Sequence, residues 1–256
     1  FAKPDVPGNV PTMPNQQPSD GRATLSRSVR LFRLFLSEQS DPAAFYTALA
    51  SDSVEQLGNY VDLAGRTILD VGGGPGYFGR AFHDAGARYV GLELDAPTDL
   101  PVEVSAVRGS GERIPVRSGS VDVAYSSNVV EHVRRPWVMA DELVRVTCTG
   151  GIVYLSFTPW FSPWGGHETA PWHLLGGNFA RRRFARRNGR EPKNAYGETL
   201  FGYRVSEVMR WARKNPDVEV LATLPRYHPR WAWWIVRVPG LREVASWNIV
   251  LVLRKR

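Results

Sequence analysis

The stretch Leu69-Asp70-Val71-Gly72-Gly73-Gly74-Pro75-Gly76-Tyr77-Phe78-Gly79 decides how this chain folds. The segment Arg66-Thr67-Ile68-Leu69 leads into it and ends at Asp70. Glycines fill positions 72, 73, 74 and 76, and helix-compatible Tyr77, Phe78, Arg80, Ala81 and Phe82 follow. A strand that stops at a glycine-rich turn and re-enters a helix lets a ligand lie against bare backbone. A plain dinucleotide loop holds a pyrophosphate at the helix N-terminus. A carboxylate immediately before the loop repels a pyrophosphate and suits a cationic or hydroxyl-rich ligand instead.

Arg88-Tyr89-Val90-Gly91-Leu92-Glu93 is expected to form a second buried strand, also ending in an acid, 23 residues beyond Asp70. In doubly wound folds the acid at the end of the second strand holds ribose hydroxyls. The plain alternative is a glycine turn with an unrelated surface glutamate. Two acids at two strand ends of one βαβ unit weigh against it. Further strands are expected near residues 102–107, 121–126 and 151–157, with helices between them. That alternation argues for an α/β fold with a doubly wound, mainly parallel sheet. No internal repeat of 20 to 50 residues is present.

These residues resemble the cofactor site of class I S-adenosylmethionine-dependent methyltransferases, within the broad group often labelled type 11. Downstream segments agree. Gly109-Ser110-Gly111-Glu112-Arg113-Ile114-Pro115 stands where that family has its adenine-contacting loop. The segment from Ser120 through Asn128, Glu131 and His132 to Val133 resembles its fourth strand and the helix that follows. Glu142-Leu143-Val144-Arg145-Val146 and Gly150-Gly151-Ile152-Val153-Tyr154-Leu155 resemble the next helix, turn and fifth strand. The likeness covers about residues 60–157. A closer one, to uncharacterised actinobacterial methyltransferases, takes in Phe161-Ser162-Pro163-Trp164-Gly165-Gly166-His167-Glu168 and residues 225–234.

The resemblance implies a Rossmann-like, seven-stranded sheet closed by an antiparallel hairpin, for which residues 218–224 and 247–253 fit. It implies S-adenosyl-L-methionine as cofactor and S-adenosyl-L-homocysteine as product. Gly72, Gly73, Gly74 and Gly76 are expected to admit the cofactor's amino-acid part, which Asp70 orients. Glu93, followed by Leu94, is expected at the ribose, and Ser110, Gly111 and Glu112 at the adenine. Asn128 is expected near the transferred methyl. Ser110 departs from the family, which often carries an acid there.

Residues 1–21 hold Pro4, Pro7, Pro11, Pro14 and Pro18 with little apolar content, and are expected to form a disordered or loosely ordered arm. The methyltransferase domain then spans 22–256. Its first part, 22–60, is expected to be a helical cover. One basic amphipathic helix carries Leu25, Val29, Phe32 and Leu36 on its apolar stripe, with Arg22, Arg27, Arg30 and Arg33 around it. A second is capped by Ser40 or Asp41, with Pro42 in its first turn. Two segments exceed the minimal fold. Residues 158–204 form a roof insertion, which starts at the carboxyl end of a strand, where ligands of open α/β sheets bind. Residues 225–246 form an aromatic insertion with Trp231, Trp233 and Trp234.

Composition sets outer bounds. The 256 residues are 43% hydrophobic and 22% charged, ordinary for a globular protein that buries a sizeable core. A single cysteine, Cys148, excludes an internal disulfide framework and fits a reducing compartment. It is expected in a turn after a helix. A net charge of +7 suits nucleic acid, an anionic membrane surface or a phosphorylated substrate. No run of 18 apolar residues and no signal-peptide pattern are present.

The chemistry expected is in-line methyl transfer, in which the protein aligns the reactants and excludes water. A hydroxyl acceptor must lose a proton, and histidine is the natural base. His167, assisted by Glu168, is the favoured base; His132 has an orienting, packing or catalytic role. His83 is expected at the surface. A zinc-helix motif needs two histidines four apart on one face. His167 and His173 are six apart with Pro171 between them, so that motif fails, and no metal ligands are assigned. The Trp-rich segment with Arg230, Arg237 and Arg242 either fills a core gap or suits a membrane interface. The expected function is a cytoplasmic methyltransferase acting, at oxygen, on a small-molecule, lipid or lipid-linked glycan acceptor, with peripheral docking at the inner membrane face as corollary. Nucleic acid ranks lower as partner, because the Asn-Pro-Pro-Tyr type of base-methylating sequence is absent. Three alternatives stay open: RNA or protein methylation, a non-catalytic cofactor-binding protein, and a nicotinamide oxidoreductase, against which Asp70 argues.

Overall fold

The computed structural model describes residues 23–38, 40–95 and 105–256. The expected N-terminal arm lies outside them, as do Arg22 and the start of the strand expected from 102. A single seven-stranded sheet organises the chain: β1 (Thr67–Val71), β2 (Arg88–Glu93), β3 (Ser105–Arg108), β4 (Val121–Ser127), β5 (Thr147–Phe157), β6 (Val218–Pro225) and β7 (Ile249–Lys255). Its order is β3-β2-β1-β4-β5-β7-β6. The strands run parallel except β7, which pairs antiparallel with both β5 and β6. The expected sheet and its closing hairpin are both present.

The sheet is buried on both faces, as a mainly parallel sheet must be. Alternate residues of each strand serve opposite layers. Ile68, Val123, Tyr125, Ile152 and Tyr154 pack under α1 (Leu25–Leu36), α2 (Pro42–Leu57) and α3 (Tyr77–Asp84). Leu69, Ala124, Val153 and Leu155 face the other layer, formed by α4 (Pro136–Val146), α6 (Val205–Lys214) and α7 (Leu241–Ala245). Between these last helices in sequence, α5 (Gly177–Asn188) belongs to the roof insertion. Each large core side chain contributes about 1.5–3 kcal/mol of burial.

Two helices, α1 and α2, lie ahead of the first strand. Asp41 caps α2 by accepting the Ala44 N–H at 3.0 Å, and Pro42 occupies the first turn. The face of α1 is different from the expected one. Leu25 and Leu36 are 60% and 59% exposed, and the residues turned inward are Ser28 and Leu31. Of the expected stripe, Phe32 packs, against the rings of Trp164 and Trp247. A polar contact sets this rotation: Arg27 grips both oxygens of buried Asp52 on α2, at 2.5 and 2.6 Å.

Two smaller corrections concern strand ends. Cys148 sits within β5, which begins at Thr147 directly after α4, rather than in a turn. A register shift between Val121 and Val123 accommodates the extra residues of β5. Next to β5, β7 starts at Ile249, after Trp247 adopts φ 55°.

Candidate active site

The carboxyl ends of β1 and β2 place the two sequence acids side by side. Asp70 is 1% exposed, and Tyr89 of β2 donates its hydroxyl hydrogen bond to Oδ2 at 2.8 Å. Its Oδ1 is buried and has no partner among the described residues. Burial pushes the Asp70 carboxyl up to about 8, against the opposing effect of the Tyr89 bond. Glu93, half-buried, accepts the Gly74 N–H at 2.6 Å. Burial raises its pKa and the Gly74 bond offsets part of that rise.

The glycines of the loop serve different ends. Gly72 takes φ 82°, and a Cβ there would run into the Val129 side chain. A Cβ at Gly73 would lie 2.5 Å from Asp70 Oδ2, so this glycine lets the loop close over the acid. Gly74 takes φ 64° and faces open space. Gly76, at φ 93°, starts α3 without a side-chain cap, which leaves first-turn N–H groups free to meet a ligand.

The 109–114 loop lies against the same strand ends. Gly109 donates its N–H to the Glu93 carbonyl at 2.8 Å, and a Cβ on Gly111 would lie 2.9 Å from Val71. Ser110 Oγ accepts the Glu112 N–H at 3.2 Å. The Glu112 carboxylate is engaged by Arg135, whose Nε donates at 2.8 Å. Leu94 is 69% exposed beyond Glu93.

A cavity of about 540 Å³ opens beyond β4 and β5, under α1 and the roof. Asn128 lines it at φ 59°, held by its N–H to the Ser156 carbonyl at 2.9 Å and by Asn248, which donates to its Oδ1 at 2.7 Å. The roof folds back here because Phe201 donates its N–H to the Glu131 carbonyl at 2.7 Å, and His132 Nδ1 meets the Thr199 carbonyl at 2.7 Å. A carbonyl only accepts, so Nδ1 carries the proton and Nε2 of His132 offers a lone pair. The rings of His132 and His167 stand 5.2 Å apart.

His167 lines this cavity with Nε2 buried and without a partner among the described residues. Burial, followed by the neighbouring His132, pushes it down to about 4, so it is neutral at physiological pH. Glu131 is 1% exposed; Oε1 accepts the Thr158 N–H at 3.0 Å and Oε2 has no partner. Burial raises the Glu131 pKa. Glu168 also lines the cavity, where its Oε2 accepts from Asn194 at 3.0 Å.

The other histidines lie elsewhere. His173 is fully buried, with Nε2 3.1 Å from the Ser162 carbonyl and its ring edge-on to Trp160. His228 packs on Trp247, and His83 is exposed on α3 as expected.

Sequence reasoning passed over three contributors. Tyr89 is one, legible only once β1 and β2 are paired. Glu131 is the second; its place beside His132 was visible, but its burial was not. Arg226 is the third: a guanidinium with 0% exposure that bonds Ser127 Oγ at 2.8 Å and the Leu49 carbonyl at 3.3 Å, and also reaches Ser53.

The sheet order, entered by a glycine loop between two strand-end acids, is that of class I S-adenosylmethionine-dependent methyltransferases. Comparison with known proteins agrees. A methyltransferase-domain family model matches residues 69–155. An uncharacterized methyltransferase of Mycolicibacterium gilvum is 49% identical over 247 residues, covering 91% of this chain and 96% of the relative. Another, from Mycobacteroides abscessus, is 48% identical over 252 residues, covering 92% and 96%. The chain belongs to this methyltransferase family and uses S-adenosylmethionine. Among solved structures, an S-adenosylmethionine-dependent methyltransferase of Mesorhizobium loti aligns with TM-score 0.55 at 16% identity, over 80% of this chain and 98% of its own. A geranyl diphosphate methyltransferase solved with its cofactor aligns with TM-score 0.55 at 16% identity, over 93% and 92%. These two likenesses concern the fold.

The residues present fit the cofactor. Its ammonium group needs a carboxylate, and Asp70 Oδ1 is buried with no partner, so a bound cation would find it free and favour loss of the carboxyl proton. Its carboxylate needs N–H donors, and the uncapped start of α3 supplies them.

Proposed function

We propose that the protein methylates an oxygen of a small-molecule or lipid-linked acceptor bound in the cavity beside Asn128. Supporting this reading is the neutral His167, whose unpartnered Nε2 lines that cavity close to His132 and Glu131. In this reading Asp70 and the loop of Gly72, Gly73, Gly74 and Gly76 hold the cofactor's amino-acid part. Glu93 takes the ribose, Ser110 and Gly111 the adenine, and Asn128 lies toward the methyl. The cofactor supplies an electrophilic methyl group already activated by its sulfonium charge. The protein's task is then to exclude water and to remove one proton. The acceptor O–H gives its proton to His167 Nε2. Burial disfavours the resulting imidazolium, and Glu131, whose pKa burial raises, shares the proton through Oε2. Glu168 and His132 orient the acceptor.

Exposed apolar groups beside arginines favour an amphiphilic acceptor. Trp231 and Trp234 are 72% and 52% exposed on the turn Arg230–Arg237. Leu175 and Phe179 of the roof are 69% and 49% exposed, and Arg182 and Arg186 flank Phe179. Such pairing suits the interface of an anionic membrane at its cytoplasmic face. No helix among the described residues is long and apolar enough to cross a membrane. The decisive experiment is transfer of radiolabelled methyl from the cofactor into fractionated cell extract. Label in a lipid, glycan or small molecule as a base-stable ether or base-labile ester supports the proposal; label confined to RNA or protein refutes it.

A further inference from the structure

The polar wall of the cavity holds more converging donor atoms than proton removal uses. Glu131, His132 and His167 each offer one ligand atom, and these atoms all lie within 4.8 Å of one another. We propose that these three side chains bind a divalent transition-metal ion that holds the acceptor oxygen. The role assigned to the ion rests on the cavity being the acceptor site, as argued above; the binding itself does not.

Two of the three ligands are prepared by a second contact. The Thr158 N–H fixes Glu131 Oε1 at 3.0 Å and leaves the buried Oε2 unpartnered. The Thr199 carbonyl holds His132 Nδ1 at 2.7 Å, which sets the tautomer with Nε2 free. Metal-binding histidines characteristically make this second bond to a carbonyl or carboxylate. His167 Nε2 is also buried without a partner. One ligand atom from each of the three residues therefore comes within 4.8 Å of the other two, with Glu131 and His132 carried by the turn Val130–His132 and His167 by the roof.

The spacing is close to what an ion needs. Metal–nitrogen bonds of about 2.1 Å in a tetrahedral site put ligand atoms roughly 3.4 Å apart, so side-chain rotations of about 1 Å complete the set. Two imidazoles and one carboxylate suit Zn²⁺, Fe²⁺ or Co²⁺ rather than Mg²⁺ or Ca²⁺, which prefer all-oxygen sets. Three protein ligands leave a position open, as in catalytic rather than structural sites. That position faces the cavity that Asn128 and Glu168 also line. An acceptor hydroxyl coordinated there loses its proton more easily, and the Glu168 carboxylate is placed to take it. With the ion bound, His167 is a ligand and the free-base role given to it above passes to Glu168.

The test uses the full chain without an affinity tag, stripped with chelator and titrated with Co²⁺ and Zn²⁺. Expected are one equivalent bound, visible d–d absorption from Co²⁺ in a nitrogen-containing low-coordinate site, and its displacement by Zn²⁺. His132→Gln and His167→Gln each weaken binding at least tenfold, whereas His83→Gln, on the exposed face of α3, leaves it unchanged. Circular dichroism confirms that each variant is folded, and the two Gln variants decide the matter even if Glu131→Gln fails to fold. Absence of Co²⁺ absorption and of Zn²⁺ binding heat, or equal affinity in all three His variants, overturns the site. Metal binding without oxygen methylation removes the acceptor reading and keeps the site; oxygen methylation by the stripped, metal-free enzyme at full rate removes the ion's role.

Discussion

Replacing Asp70 by Asn should stabilise the ligand-free fold while weakening cofactor binding. Burial raises this carboxyl from 3.8 to about 8, so the folded protein keeps a proton that the unfolded chain releases. Unfolding then sheds a proton throughout the window between those values, and stability falls as pH rises, by up to about 1.4 kcal/mol per unit. By pH 8 the accumulated loss is roughly 5 kcal/mol. Asn has no charge to desolvate and still accepts the Tyr89 hydroxyl hydrogen bond. Its amide nitrogen replaces the unpartnered Oδ1 and costs about 1–3 kcal/mol if it too finds no partner. The net expectation at pH 8 is a gain of about 2–4 kcal/mol. Urea denaturation of the ligand-free protein from pH 7 to 9 reads it directly. His167 and His228, both pushed down to about 4 by burial, add stability between about 4 and 6.5 and contribute a constant amount above that range. Across pH 7 to 9 the wild type should therefore lose about 1.4 kcal/mol relative to the variant. Calorimetry should show cofactor affinity reduced by about 1–3 kcal/mol, the loss of a charged hydrogen bond. Parallel pH profiles for the two proteins, with equal stability at pH 8, would refute the reasoning.

Glu93→Ala should weaken the cofactor by about 1–3 kcal/mol in the same calorimetric measurement, and an unchanged affinity removes Glu93 from the ribose. His167→Gln should lower methyl-transfer turnover about 100-fold while leaving cofactor affinity intact; wild-type turnover excludes the residue from the reaction. Because burial holds His167 near 4, the acid limb of the wild-type rate profile should fall well below pH 6.5; a limb at 6.5 points to an exposed histidine instead. Arg226→Met should destabilise the protein by about 1–3 kcal/mol in denaturant unfolding, since the buried Ser127 hydroxyl and Leu49 carbonyl lose a donor while Asp52 keeps Arg27. Vesicles rich in anionic lipid should sediment the protein at low salt, and Trp231→Ala with Trp234→Ala should reduce that binding; vesicles that leave it in the supernatant exclude the membrane reading.

What could be foreseen follows from how local each signal is. The cofactor side is written in contiguous stretches: Asp70 and its glycines within one turn, Glu93 at the next strand end. Period and punctuation locate such elements, and β1 and β2 fall where they were expected. The α1 face was misjudged because periodicity ranks residues by their own polarity. The deciding contact, Arg27 on Asp52, joins a helix to its neighbour through two charged groups that a pattern of apolar residues assigns to solvent. Arg226 escaped for the same reason. Nothing in its neighbourhood marks an arginine as wholly buried until the ends of β4, β5 and β6 and the α2 backbone converge on it. His167 could be nominated because histidines are few. Its pairing with Glu131 and His132 depended on the roof returning to the Val130–His132 turn.

The two halves of the site therefore differ in what they can tolerate. The cofactor half depends on backbone: a Cβ at Gly73 would lie 2.5 Å from the Asp70 carboxylate, so the loop admits no side chain there. The acceptor half depends on tertiary contacts between segments distant in sequence. Glu131 comes from the Val130–His132 turn after β4, His167 and Lys193 from the roof, and Tyr227 from the aromatic insertion. Phe201 and Thr199 pin the roof through backbone groups, and main-chain bonds do not depend on which side chains the roof carries. Side chains facing the cavity can then change without loosening the roof or the glycine loop. On the proposed reading, such a chain keeps its donor fixed while the roof sets its acceptor. Substitutions at Lys193 or Asn194 should accordingly alter acceptor KM and leave cofactor affinity as it is.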